Sequence, residues 1–188
     1  RRIQELETKR NERIEDPLFK DIPIPLPINI GKVEGGSWPS SVPDMVVLEG
    51  RIGVGPEEKL IEVKQELAAC MNDLWKTDPW FESHPVELEW FGAQWVPGSI
   101  ELDHPFVKSL EKAYTQVEKK QPILEASPWG TDGGLFTQIS GIPTVVCGPG
   151  TTEVAHYPNE YISIEEMMKA AEIIAILLMD WCEISDEA

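Results

Sequence analysis

Cysteine is scarce in this 188-residue sequence: Cys70, Cys147 and Cys182 stand far apart and are odd in number. No C-x-x-C pair is among them, so neither a disulfide framework nor a cysteine zinc knuckle is indicated, and a reducing, cytoplasmic location fits best. Histidine is equally rare, at positions 84, 104 and 156. Bases are half as common as acids, 16 against 33, for a formal net charge of −17. Binding a polyphosphate needs a concentrated basic surface, so nucleic acid is not an expected partner. Long apolar runs are missing too. The longest, IIAILLM at 173–179, falls far short of the ~20 residues of a membrane-spanning helix. No serine or cysteine has a base nearby in sequence, so nothing signals nucleophilic catalysis. The sequence also lacks an initial methionine. It opens on RRIQELETKRNERIEDPLF, with Ile3, Leu6 and Ile14 on what reads as a polar-faced helix over 1–15, already under way.

What is present suffices for a core: 41% hydrophobic residues and seven tryptophans, enough for one ordinary domain or two small ones. The organisation changes near residue 100. Before it, the prolines of DIPIPLPINIGKVEGG cannot donate to a ladder, so a first strand should start near Ile28. VPDMVVLEGRIGV reads as a second. Pro56, Glu57 and Glu58 suit the start of a helix that continues with Leu60, Val63, Leu67, Cys70 or Met71, and Leu74 on one face. VELEWFGAQWV alternates Val86, Leu88 and Trp90 against Glu87 and Glu89, which predicts a half-buried strand. This order is a two-layer β-α-β-β-α-β sandwich lacking its first strand, which should lie before residue 1.

After Pro97-Gly98, HPFVKSLEKAYTQVEKK predicts a helix with Phe106, Leu110, Tyr114 and Val117 on its apolar face. PILEAS and PTVVCGPG read as buried strands, with Cys147 a small hydrophobe on the second. The last helix opens on a capping box, Ser163 and Glu166, and carries Ile164, Met167, Met168, Ala171, Ile174, Ala175, Leu178 and Trp181 on one face. Strands alternating with helices predict an open α/β sheet, whose chemistry gathers at the strands' carboxyl ends.

His156 follows such a strand-end turn, in CGPGTTEVAHYPNEYI. A lone histidine is commonly structural, and a catalytic zinc needs about three protein ligands, so His156 by itself makes no metal site. His84 and His104 each precede proline at an element boundary and read as structural. In WGTDGGLF (129–136) the glycines admit a ligand to backbone amides, or simply form a connection capped by Asp132. Arg51, in LEGRIG, either forks onto a ligand carboxylate or pairs with Glu49 or Glu58, the commoner fate for an arginine so placed. The Trp75/Trp80 and Trp90/Trp95 pairs read as core or dimer surface.

VEGGSWPSSVPDMVVLEGRIGVGPEE, SPWGTDGGLF and GPGTTEVAHYPNEYISIEEM together resemble the acetylornithine deacetylase, succinyl-diaminopimelate desuccinylase and aminoacylase family of zinc hydrolases, across nearly the whole chain. The resemblance implies residues 1–98 as an incomplete lid and dimerisation domain and 99–188 as the carboxyl-terminal part of an open α/β catalytic domain. It implies two zinc ions (cobalt or manganese being alternatives), a homodimer joined through the lid, and hydrolysis of N-acyl amino acids or small peptides. On that pattern His156 is the final metal ligand, Arg51 grips the substrate carboxylate, Gly130, Thr131 and Asp132 flank the substrate, and Gly150 and Thr152 line the pocket. Ser40-Ser41 departs from the asparagine often found there. The remaining ligands and the glutamate base belong to motifs that precede the lid, so the 188 residues alone are expected to be inactive. The alternative is a non-catalytic dimerisation and binding module.

Overall fold

The computed structural model describes residues 1–182, a mixture of helix and strand. Helices are α1 (Arg2–Asn11), α2 (Leu60–Asn72), the four-residue α3 (Trp80–Ser83), α4 (Pro105–Glu118), α5 (Gly133–Gln138) and α6 (Ile164–Trp181); strands are β1 (Ile28–Gly35) and β2 (Val46–Ile52). The chain forms two compact units. One holds residues 1–97 and 125–132, the other 98–124 and 133 onward.

In the first unit α1 ends four residues before the expected Glu15. The side chain of Asn11 donates to Glu7 O (2.8 Å) and Leu26 O (3.1 Å) and accepts from Leu26 N (2.8 Å). Those bonds solve a problem set by Pro23, Pro25 and Pro27, which leave the intervening amides without regular partners. Leu26 is satisfied by Asn11, and Ile28 donates to Glu7 Oε1 at 2.6 Å. The first strand accordingly starts at Ile28, where the last proline permits it. Strands β1 and β2 run antiparallel from Ile28 opposite Ile52 to Gly35 opposite Val46, with an irregularity between Ile30 and Lys32.

Helix α2 starts at Leu60, not at Pro56. Pro56 and Glu57 form a turn closed by Glu58, whose Oε2 accepts from Gly55 N at 2.8 Å and from Arg10 Nη2 at 2.5 Å. Leu6, Phe19, Leu26, Val63 and Met71 are buried in this unit, and the wholly buried residue among them is a cation, Arg10. Its Nε lies 3.4 Å from Glu66 Oε2, within ion-pair range but outside hydrogen-bond geometry.

In the second unit α4 and α6 pack around Ala113, Ile173 and Leu177, with Phe106, Leu110, Tyr114, Val117 and Ile176 partly buried against them. The expected α4 face is therefore the packed one. The expected α6 face is not. Met168, Ile174 and Leu178 are more than half exposed, while Trp181 lies edge-on to Phe106 of α4 at 5.1 Å. Over residues 173–179 helix α6 is apolar all round, so periodicity there could not say which side meets α4. Its start is as expected: Ser163 Oγ accepts from Glu166 N at 3.4 Å.

Three predicted strands are absent among the described residues. Residues 86–92, 122–127 and 143–147 join no ladder, and the sheet holds β1 and β2 alone. Apolar alternation makes a segment fit for a strand, but a strand exists only by pairing, and none of these segments has a paired neighbour. Neither the sandwich order nor an open parallel sheet is therefore formed by the described residues. No helix among them is long and apolar enough to cross a membrane.

Candidate functional site

The chemistry-bearing residues fall into two groups, one in each unit. In the second unit, residues 149–159 are a run of bends and turns between the segment ending at Cys147 and helix α6. Gly150 has φ +93°, a left-handed conformation that favours glycine. Thr152 O accepts from Ala155 N at 3.4 Å, and Val154 O from Tyr157 N at 3.1 Å. These turns leave His156 itself at φ +65°. Left-handed backbone is uncommon outside glycine, though histidine tolerates it better than most residues. Glu160 stabilises it by accepting the His156 N–H at 3.1 Å. The imidazole is exposed, and no hydrogen bond to the described protein occupies it.

The other two histidines are engaged in local structure. His104 Nδ1 caps α4 by accepting from Phe106 N at 3.1 Å. His84 stacks on Trp80 with centroids 4.1 Å apart, and its Nδ1 lies 3.0 Å from Trp80 O. Among the described residues no group of three His, Cys, Asp or Glu could hold a metal ion. They supply one candidate ligand, which is short of a zinc centre.

In the first unit Arg51 sits on β2 opposite Asn29. Both acids that would neutralise it are engaged elsewhere, Glu49 with Lys32 (3.1 Å) and Glu58 with Arg10. Its guanidinium instead lies 5.7 Å from the ring centroid of Trp95. The same indole donates from Nε1 to Asp132 Oδ1 at 3.2 Å. Gly130 packs beneath it: a β-carbon there would come within 3.1 Å of Trp95 Cε3. Arg51, Gly130 and Asp132 are thus brought together by a tryptophan expected from sequence in the core or at a dimer surface. Trp75, Trp80 and Trp90 are exposed rather than core.

The glycine pair after Asp132 has its own use. Gly134 is buried, and a β-carbon on Gly98 would meet its Cα and N at 2.9 Å, so glycine lets two backbones touch.

Cys147 is not on a buried strand. Its surface is accessible, yet the surrounding protein desolvates the thiol enough to raise its pKa above the ordinary 9.0. Desolvation raises that of Cys70 too. A raised thiol pKa favours the neutral form in the folded state. The associated stability is present below pH 9.0 and is lost as pH rises through the folded value. Iodoacetamide should therefore modify Cys147 more slowly in native than in urea-unfolded protein near pH 8. The gap should close as pH is raised above 9.0.

The chain belongs to peptidase family M20/M25/M40, whose pattern matches residues 26–180. It is 30% identical over 163 residues to the N-formyl-4-amino-5-aminomethyl-2-methylpyrimidine deformylase of Bacillus subtilis, covering 82% of this chain and 38% of that protein. It is 23% identical to the acetylornithine deacetylase of Vibrio parahaemolyticus, over 90% of this chain and 43% of that one. Its fold is similar to that of the M20 family metallo-carboxypeptidase Sso-CP2 from Sulfolobus solfataricus, with a TM-score of 0.60 over 94% of this chain and 41% of that one, at 18% identity. The chain thus spans about two fifths of the length of these relatives.

Proposed function

We propose that the protein is a metal-dependent amide hydrolase that removes a small acyl group from N-acyl amino acids or related amines. The observation that carries this reading is the family match over residues 26–180, which includes the glycine turn and His156. Relatives named for removing a formyl and an acetyl group support a small acyl group. In this reading His156 contributes one ligand to a zinc site completed by residues beyond those described, with Gly150 and Thr152 shaping the turn beside it. Arg51 takes a substrate carboxylate, and Gly130, Thr131 and Asp132 form the loop beside the substrate. A reducing, cytoplasmic setting suits three unpaired cysteines. Homodimer formation through the β1–β2 region suits a two-stranded sheet that exposes Val33, Val46 and Leu48, since a lone pair of strands is marginal without further cover.

The exposed apolar side chains of the β1–β2 pair, Val33, Val46 and Leu48, favour a second reading, in which the chain acts as a non-catalytic dimerisation and binding module. One assay separates the two: acid release by the intact protein from N-formyl, N-acetyl and N-succinyl amino acids and amines. The hydrolase reading expects turnover that chelation abolishes and added zinc restores, fastest with formyl or acetyl. Turnover unaffected by chelation, or none at all in metal-replete protein, would overturn it.

A further inference from the structure

We propose that Trp95 is a positioning residue that ties Arg51 to the Gly130–Asp132 loop and so presents the guanidinium to a ligand carboxylate. The choice of a carboxylate rests on the hydrolase reading; the coupling rests on geometry alone. Trp95 lies in a segment without regular structure, so no ladder fixes its place. Three contacts do: the Nε1–H bond to Asp132 Oδ1 at 3.2 Å, the close approach of Gly130 to the ring, and Arg51 Cζ at 5.7 Å from its centroid. Each leaves something available. A guanidinium held by an aromatic ring keeps its five N–H donors unspent, and among the described residues Arg51 makes no ion pair. An arginine with an unsatisfied planar fork suits a carboxylate, which accepts two parallel N–H bonds. The half-buried indole also limits how far the long arginine chain wanders, so less conformational freedom is lost when the ligand arrives.

The contacts require different parts of the indole. Phenylalanine at 95 keeps a ring for Arg51 but loses the N–H to Asp132, and leucine loses both. The test is made on the intact protein with N-acetylglycine as the carboxylate probe and N-methylacetamide as its counterpart without one. Trp95→Leu should weaken N-acetylglycine binding about fivefold, Trp95→Phe much less, and neither should alter N-methylacetamide binding. In nitrogen–proton NMR spectra the indole signal missing from Trp95→Phe identifies Trp95. That signal should shift in both Asp132→Ala and Arg51→Lys.

Equal weakening of both probes by Trp95→Leu, no weakening of either, or an indole signal indifferent to Asp132 and Arg51 would overturn the proposal. Acid release by wild-type protein combined with any of these results leaves the hydrolase reading standing and removes Trp95 from it. Selective carboxylate binding and a responsive indole in a protein that releases no acid would do the opposite.

Discussion

His156→Ala in the intact protein is expected to lose bound metal and to lower turnover by on the order of a hundredfold or more. Even residues that only orient a metal ligand cost roughly 10- to 100-fold when removed. Alanine alone would not prove the point, because position 156 has a left-handed backbone at φ +65°. An L-residue without a compensating side chain pays about 1–2 kcal/mol there, so His156→Ala also strains the loop. His156→Asn separates the two effects. Asparagine accepts the conformation but supplies no imidazole, so it should restore loop stability without restoring metal or rate. Glu160 gives a further control, since its carboxylate holds the His156 amide and not the ring. Glu160→Gln should therefore leave metal binding largely intact. Full metal content and rate in His156→Asn would remove the residue from the site.

The largest expected stability change lies elsewhere, at Arg10. Its side chain is wholly buried, while Glu58 and Glu66 beside it keep about a quarter of their side-chain surface in water. Breaking a buried pair by deleting one partner typically costs about 3–5 kcal/mol, because a charge is left uncompensated. Here the loss is softened, since Glu66 retains Arg13 at 2.6 Å and Glu58 retains the Gly55 amide at 2.8 Å. Arg10→Ala should thus lower the unfolding free energy by about 2–3 kcal/mol. Arg10→Met keeps the apolar stem and should cost less. Adding Glu58→Gln to Arg10→Met should recover part of the loss, since the stranded charge is then gone. Urea unfolding of the variants measures all three. A change below about 0.5 kcal/mol for Arg10→Ala would place it with ordinary surface substitutions and contradict the ion-pair account.

The sequence was most legible where local rules decide. Proline marks the start of β1, Ser163 the start of α6, and four-residue spacing the packed face of α4. It was least legible where a distant partner decides. Alternation over 86–90 cannot say whether a neighbouring strand exists, and α6 carries Ile173 and Leu177 on one apolar stripe and Ile174 and Leu178 on the next, about 100° round the helix, either of which could face α4. The fate of Arg51 turned on the hairpin register, which brings Lys32 opposite Glu49, and on a turn that brings Glu58 to Arg10. Trp95 left no local signal: Asp132 lies 37 residues away along the chain, and only the fold joins them.

The central claim is that this member of the M20 family acts through a metal held in part by His156. The direct measurement is the metal content per chain of intact protein purified without chelators, with acid release assayed on the same preparations as metal is withdrawn and returned. The account predicts that turnover rises and falls with bound metal, and that His156→Asn holds less metal at every point. Full turnover in metal-free protein would contradict it.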